Sequence, residues 1–280
     1  MRVVGVGGCN LDILGVPDGE MALRDSNPGT VAFRPGGVTC NILRRLSLKG
    51  YETCLITALG QGPLADELEK QCSKDGVRLD HALRNASQPG IYLCLHENSG
   101  EMLCAVSAMS AMEALTPKAA MEALEKAGPA DAFVVDCNLR EDTLAAVCAF
   151  LYGKGLMFMD PVSARKGIRA RSVYRYLDAF KPNRLEALAL SGETDIDAAA
   201  AYFRAQGVKR VFISLGPGGT WYRGEGGGGL CPTQPLTGRA LTTGAGDALC
   251  AGIIDALLKG ASTEEAARRG NLWAREALEE

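Results

Sequence analysis

The feature that most limits the fold of this chain is a rhythm. Short apolar runs at 3–7, 53–59, 132–137, 156–160 and 210–215 read as strands. The segments 38–48, 64–74, 118–125, 142–152, 197–206, 247–258 and 263–278 space their apolar residues as helices do. Strands separated by helical crossovers pair in parallel, because the long connection returns the chain to the same end of the sheet. The expectation is an α/β fold with a doubly wound, mostly parallel sheet flanked by helices on both faces.

Two stretches break the rhythm. Residues 12–34 are rich in Gly, Pro and Asp, and residues 90–106 hold two apolar runs around Glu97-Asn98-Ser99-Gly100, a hairpin signal. They are expected to form a small β lid over the site, leaving 1–11, 35–89 and 107–280 as the main α/β domain. The glycine-rich stretch 224–229 reads as a mobile turn.

Composition excludes several classes. Thirty basic and 33 acidic residues give a net charge of −3 with no long basic cluster, which argues against nucleic acid as partner. No run approaches the roughly 20 apolar residues of a membrane span, and the opening apolar run is only strand-length, so a cytoplasmic location is expected. Ten cysteines are scattered without a C-x-x-C pair, and His81 and His96 sit near no ligand set. They read as reduced, mostly buried thiols rather than disulfides or a metal site.

The strongest chemical signal is Thr242-Thr243-Gly244-Ala245-Gly246-Asp247-Ala248, leading into an apolar helix. Small residues let the amides of Gly244, Ala245 and Gly246 converge on an anion at a helix N-terminus. Such a cradle suits phosphoryl transfer, where positioning and charge stabilisation dominate, with Asp247 placed to take the attacking hydroxyl's proton. The same tetrapeptide also fits a tight loop closing on an N-cap aspartate.

Company decides between these readings. The Thr-Thr-Gly-Ala-Gly-Asp block resembles the C-terminal motif of ribokinase-like, or PfkB-type, carbohydrate kinases, and Pro35-Gly36-Gly37-Val38-Thr39-Cys40-Asn41 resembles their N-terminal motif. Gly7-Gly8-Cys9-Asn10-Leu11-Asp12, Lys181-Pro182-Asn183-Arg184-Leu185-Glu186 and Ser214-Leu215-Gly216-Pro217-Gly218-Gly219 follow in family order. The resemblance implies an ATP-dependent kinase with Asp247 as general base and the Gly244, Ala245 and Gly246 amides as anion hole. It assigns Asn10, Asp12, Gly36, Gly37 and Asn41 to the acceptor. Lys181, Asn183, Ser214, Gly216, Gly219 and Thr243 go to the nucleotide, and Asn183 and Glu186 to Mg²⁺ through water.

Within the family, Asp25 to Gly29, Gly90 to Leu93, Glu113 to Pro117, Asp160 to Ala164 and Lys181 to Ala187 resemble pseudouridine kinases, implying transfer to the 5′-hydroxyl of pseudouridine. Another nucleoside or a free sugar, or a non-catalytic nucleoside-binding protein on the same scaffold, stay open as alternatives. Asp160 and Lys166 lie in a segment of this resemblance, which implies that either could face the phosphates, and Asp136 and Asn138 end a predicted strand on the ligand side of the sheet. Leu241 stands where relatives commonly carry a polar residue, a position tied to a possible monovalent cation, and Cys40 stands where the subgroup usually has arginine. The exposed edge of the lid implies a homodimer.

Overall fold

The computed structural model describes residues 1–84, 88–99, 101–233 and 244–279. From β1 (Arg2–Val6) the chain forms β2 (Asn10–Pro17) and β3 (Gly29–Gly36), then α1 (Val38–Leu48) and β4 (Glu52–Ile56). Next come α2 (Pro63–Lys74), the two-residue β5 (Val77–Arg78), and the paired β6 (Gly90–His96) and β7 (Met102–Ala108). A regular alternation follows through α3 (Pro117–Ala127), β8 (Ala132–Asp136), α4 (Glu141–Leu151) and β9 (Leu156–Asp160). The one-turn α5 (Ala164–Gly167) precedes β10 (Ala179–Phe180), α6 (Arg184–Ser191), α7 (Ile196–Ala205) and β11 (Val211–Ser214). A hairpin of β12 (Thr220–Gly224) and β13 (Gly227–Cys231) leads towards α8 (Ala245–Leu258) and α9 (Thr263–Glu279).

Among the described residues, nine strands form one sheet in the order β13-β12-β11-β10-β9-β8-β1-β4-β5, parallel from β11 to β5 and antiparallel at the β12–β13 edge. The period of two along each strand sends side chains to opposite faces. Val4, Ile56, Phe133, Val135 and Phe180 meet Leu124 of α3, Val147 of α4 and Phe203 of α7. Val3, Leu55, Val134 and Phe158 meet Leu43 of α1, Leu68 of α2, Ile253 of α8 and Trp273 of α9 on the other. These strands are apolar nearly throughout because both faces are covered.

Four strands form a second sheet, β3-β2-β6-β7. The stretch that reads as irregular at 12–34 supplies two regular eight-residue strands, paired from Asn10–Gly36 to Pro17–Gly29. The small sheet also runs past the expected limits, to Asn10, Gly36 and Ala108. Its registers set Asp12 beside Tyr92 and Tyr92 beside Ser107 on one face, and Phe33, Ile13, Leu93 and Val106 in a row on the other. In the stretch 224–229 the turn itself is two residues, 225–226: Gly224 pairs with Gly227 to close the β12–β13 hairpin, and 227–229 belong to β13.

Candidate active site

The parallel strands end together, and their last residues carry the polar groups. Asp136 closes β8, Asp160 closes β9 in register with it, Lys181 follows β10 and Ser214 closes β11. This C-terminal edge is where open α/β sheets bind ligands.

Asp136 is fully buried and organises the floor. Its Oδ2 accepts from the Gly8 amide at 2.9 Å, the Thr39 amide at 3.2 Å and the Thr39 hydroxyl at 2.8 Å, and its Oδ1 accepts from the Asn138 amide at 2.8 Å. Helix α1 starts at Gly37 without a side-chain cap, so this carboxylate satisfies an otherwise orphan amide of its first turn. Gly37 has φ 98°, and a Cβ there would collide with the Gly8 carbonyl oxygen; a Cβ on Gly36 would strike the Asp12 carboxylate. Only glycine combines that backbone conformation with such close approach.

Above this floor lies a cleft of about 230 Å³ lined by Asn10, Asp12, Asn41, Tyr92, Ser107, Asn138 and Lys166, among others. Asp12 accepts a short hydrogen bond from Asn10. Burial pushes its carboxyl up to about 6, against the pull of Asn10, Arg44 and Arg34. Lys166 donates to Asn138 Oδ1 at 2.6 Å, and burial holds its ammonium below the usual lysine value.

Asn41 Nδ2 donates to Asp247 Oδ2 at 2.9 Å, which brings the first turn of α8 to the cleft. Burial, then the charge of Asp160, push Asp247 up to about 7, with Asn41 and Lys181 opposing. Gly244 caps α8 at φ 91°, and the first helical bond runs from the Ala248 amide to the Gly244 carbonyl at 3.0 Å. By helix geometry the amides of Ala245, Gly246 and Asp247 precede the ladder and are available to an anion. A Cβ on Gly246 would stand 3.7 Å from Lys181 Nζ, so an ammonium flanks this nest.

Lys181 is paired with Asp160 at 2.7 Å, both side chains under one-tenth exposed. Burial works against its charge, but Asp160, joined by Cys250 and Glu186, outweighs that and holds the ammonium above its ordinary value. Asp160 also accepts from the Val162 amide at 2.7 Å, where Val162 adopts φ 67°, an uncommon conformation for a β-branched residue.

Asn183 and Glu186 form a capping box at the start of α6: Asn183 Oδ1 accepts from the Glu186 amide at 2.9 Å and Glu186 Oε2 from the Asn183 amide at 2.8 Å. Their three-residue spacing therefore has a structural cause. Glu186 Oε1 is the oxygen that this box leaves over. Burial, then Asp160, raise the Glu186 carboxyl. Crowded carboxyls around a single ammonium suit an oxygen-seeking divalent cation, so the donor set fits Mg²⁺.

The model of the family described as pfkB family carbohydrate kinase matches residues 2–280. The chain belongs to the pfkB family of carbohydrate kinases. It is thus a phosphotransferase acting on an alcohol group. It is 34% identical over 275 residues to a pseudouridine kinase of Escherichia coli, covering 95% of this chain and 87% of that enzyme. It is 25% identical to a ribokinase of Bacillus subtilis over 271 residues, 95% and 89% of the two chains. The crystal structure of a Thermotoga maritima ribokinase superposes with a TM-score of 0.84 at 23% identity, covering 100% of this chain and 93% of that one.

For this pfkB kinase, Asn10, Asp12, Gly37 and Asn41 gather at the cleft, Gly36 abuts Asp12, and Asp247 with its amides adjoins Asn41. The Ser214 amide donates to the Pro182 carbonyl at 3.0 Å, setting Ser214 beside Asn183, and the turn holding Gly216 and Gly219 follows. Thr243 and Leu241 lie outside the described residues. Tyr92 and Val162, from two of the segments singled out above, also line the cleft, as do Ser107 and Met109, which no local sequence pattern announces.

Proposed function

We propose that this kinase transfers the γ-phosphoryl group of ATP to the 5′-hydroxyl of pseudouridine, giving pseudouridine 5′-phosphate and ADP. The observation that carries the reading is the Asn41–Asp247 hydrogen bond, which sets a carboxylate raised to about 7 at the end of a polar cleft and beside an uncapped helix N-terminus. Asp247 takes the proton of the attacking hydroxyl. The amides of Gly244, Ala245 and Gly246, with Lys181 alongside, stabilise charge on the transferring phosphoryl group. Asn10, Asp12 and Asn41 hold the ribose hydroxyls, with Gly36 and Gly37 allowing close approach.

Lys181, Asn183, Ser214, Gly216, Gly219 and Thr243 form the nucleotide side. Mg²⁺ would be held by Asn183 and Glu186 through water and would neutralise charge on the phosphates. The preference for a C-glycoside rests on its additional ring N–H, which needs an acceptor. The Ser107 hydroxyl and Asn138 Oδ1 line the cleft as acceptors, and the Lys166 ammonium can donate to a base carbonyl. The likeness to the Escherichia coli pseudouridine kinase supports this acceptor over ribose.

A coupled assay of ADP release across pseudouridine, uridine, adenosine, ribose and fructose tests it. The expected kcat/KM for pseudouridine exceeds every other by at least about tenfold, a discrimination of roughly 1.4 kcal/mol. Equal rates on all five would sink the assignment.

The four-stranded sheet supports a homodimer. Its outer row leaves Phe33 49%, Leu93 41% and Val106 63% exposed, on the face opposite Asp12 and Tyr92. Its edge strands β3 and β7 are also largely open. An apolar face of this kind invites a second copy. Sedimentation at micromolar concentration should give twice the chain mass, and a monomer there rejects the dimer. Ten free thiols, nine of them buried, support a reducing, cytoplasmic setting.

A further inference from the structure

Cysteines that lie far apart in sequence converge behind the acceptor cleft. Cys9 follows β1, Cys40 lies in the first turn of α1 and Cys72 in the last turn of α2; all three are fully buried. Cys40 Sγ stands 3.6 Å and Cys9 Sγ 3.9 Å from Cys72 Sγ, and all three sulfurs lie within 4.8 Å of one another. Thiolate–metal bonds of about 2.3 Å in a planar three-coordinate site put the sulfurs about 4.0 Å apart. The trio is therefore already spaced for one ion.

We propose that Cys9, Cys40 and Cys72 form a binding site for a single thiophilic d¹⁰ cation, with three sulfur ligands and Cu⁺ as the favoured ion. Sulfur ligands select Cu⁺ and Zn²⁺ over harder cations, but structural Zn²⁺ is almost always held by four ligands. Among the described residues no fourth metal-binding side chain joins the group. The trio's neighbours in the core are apolar side chains such as Leu43 and Leu68. That setting favours the lower coordination number.

Ligation replaces S–H by S–Cu bonds and releases the thiol protons to solvent, with no change in oxidation state. Cys72 is followed by exposed Ser73 and Lys74, so the site lies just under the surface. Cys9 and Cys40 immediately precede Asn10 and Asn41, which line the cleft, so an ion here would sit directly behind the acceptor contacts.

The test uses the full chain carrying Cys104→Ala, which removes the exposed thiol. The reduced protein is titrated anaerobically with Cu⁺ against a colorimetric Cu⁺ chelator, and loaded protein is examined by X-ray absorption. One ion per chain withdrawn from the chelator is expected, with a sulfur-only shell at about 2.3 Å and at least a tenfold loss of affinity in Cys72→Ala. Cys9→Ala gives the same reading should Cys72→Ala fail to fold. No withdrawal, affinity unchanged in the variants, or nitrogen and oxygen in the metal's shell overturns the proposal. The readouts are independent of kinase activity, so the site and the proposed reaction stand or fall separately.

Discussion

Replacing Asp247 by Asn lowers kcat by roughly 10²- to 10⁴-fold, the usual scale for losing a positioned base. The amide keeps the shape and can still accept from Asn41, so the fold survives and kcat and kcat/KM fall together. The pH dependence supplies an independent check. With the carboxyl raised to about 7, kcat/KM should climb through neutral pH and level off above it, and Asp247→Asn should lose that limb.

Stability should move the opposite way. The folded chain holds this proton more tightly than the unfolded chain, whose carboxyl titrates near the ordinary 3.8. The stabilisation from that proton is complete below the unfolded value and is lost as pH rises through about 7. Melting at pH 8 should therefore occur at higher temperature in Asp247→Asn than in wild type, with the gap closing towards pH 4. Near-normal turnover in the variant, or a lower melting temperature at pH 8, would reject the placement of an ionised carboxylate in this partly buried position.

Lys181→Met has the largest effect expected on stability. The ammonium sits 2.7 Å from Asp160, and removing it strands a carboxylate that is hardly exposed. Breaking a buried pair from one side costs about 3–5 kcal/mol, a fall of roughly 10 °C in melting temperature for a chain of this size. Adding Asp160→Asn should restore most of that loss, because the amide oxygen can still accept from Val162 while the stranded charge is gone. Activity should not return, since the cation beside Gly246 is still missing. A double variant that recovers turnover along with stability would show that Lys181 serves the fold alone.

These groups were unequally legible. Helix α1 and strand β9 fall at the expected residues, because glycine and charged punctuation bounds a clear apolar period. Two-residue β10 had no period to show, and the β12–β13 hairpin hid in a run of glycines whose pairing comes from a neighbouring strand. Residues 12–34 look irregular because their strands face solvent on one side and lack the apolar content of buried ones.

For the site, Asn41, Asp247, Lys181, Asn183 and Glu186 stood in motifs, but most of the contacts that tie them together did not show. That Asp160 neutralises Lys181, or that Asp136 fastens Gly8, Thr39 and Asn138 together, follows from strand register, a long-range property. The thiol trio was invisible for the same reason. Its members look isolated along the chain, and only the packing of α1 and α2 beside β1 joins them.

The single amide of Asn41 faces both the cleft and Asp247, the proposed base, whose affinity for hydrogen ions it holds down. Retuning that position for a different alcohol would simultaneously reset the pH at which the enzyme works. Evolving a new preference in this lineage is thus cheaper at Tyr92, Ser107 or Lys166, which line the same hollow without that bond.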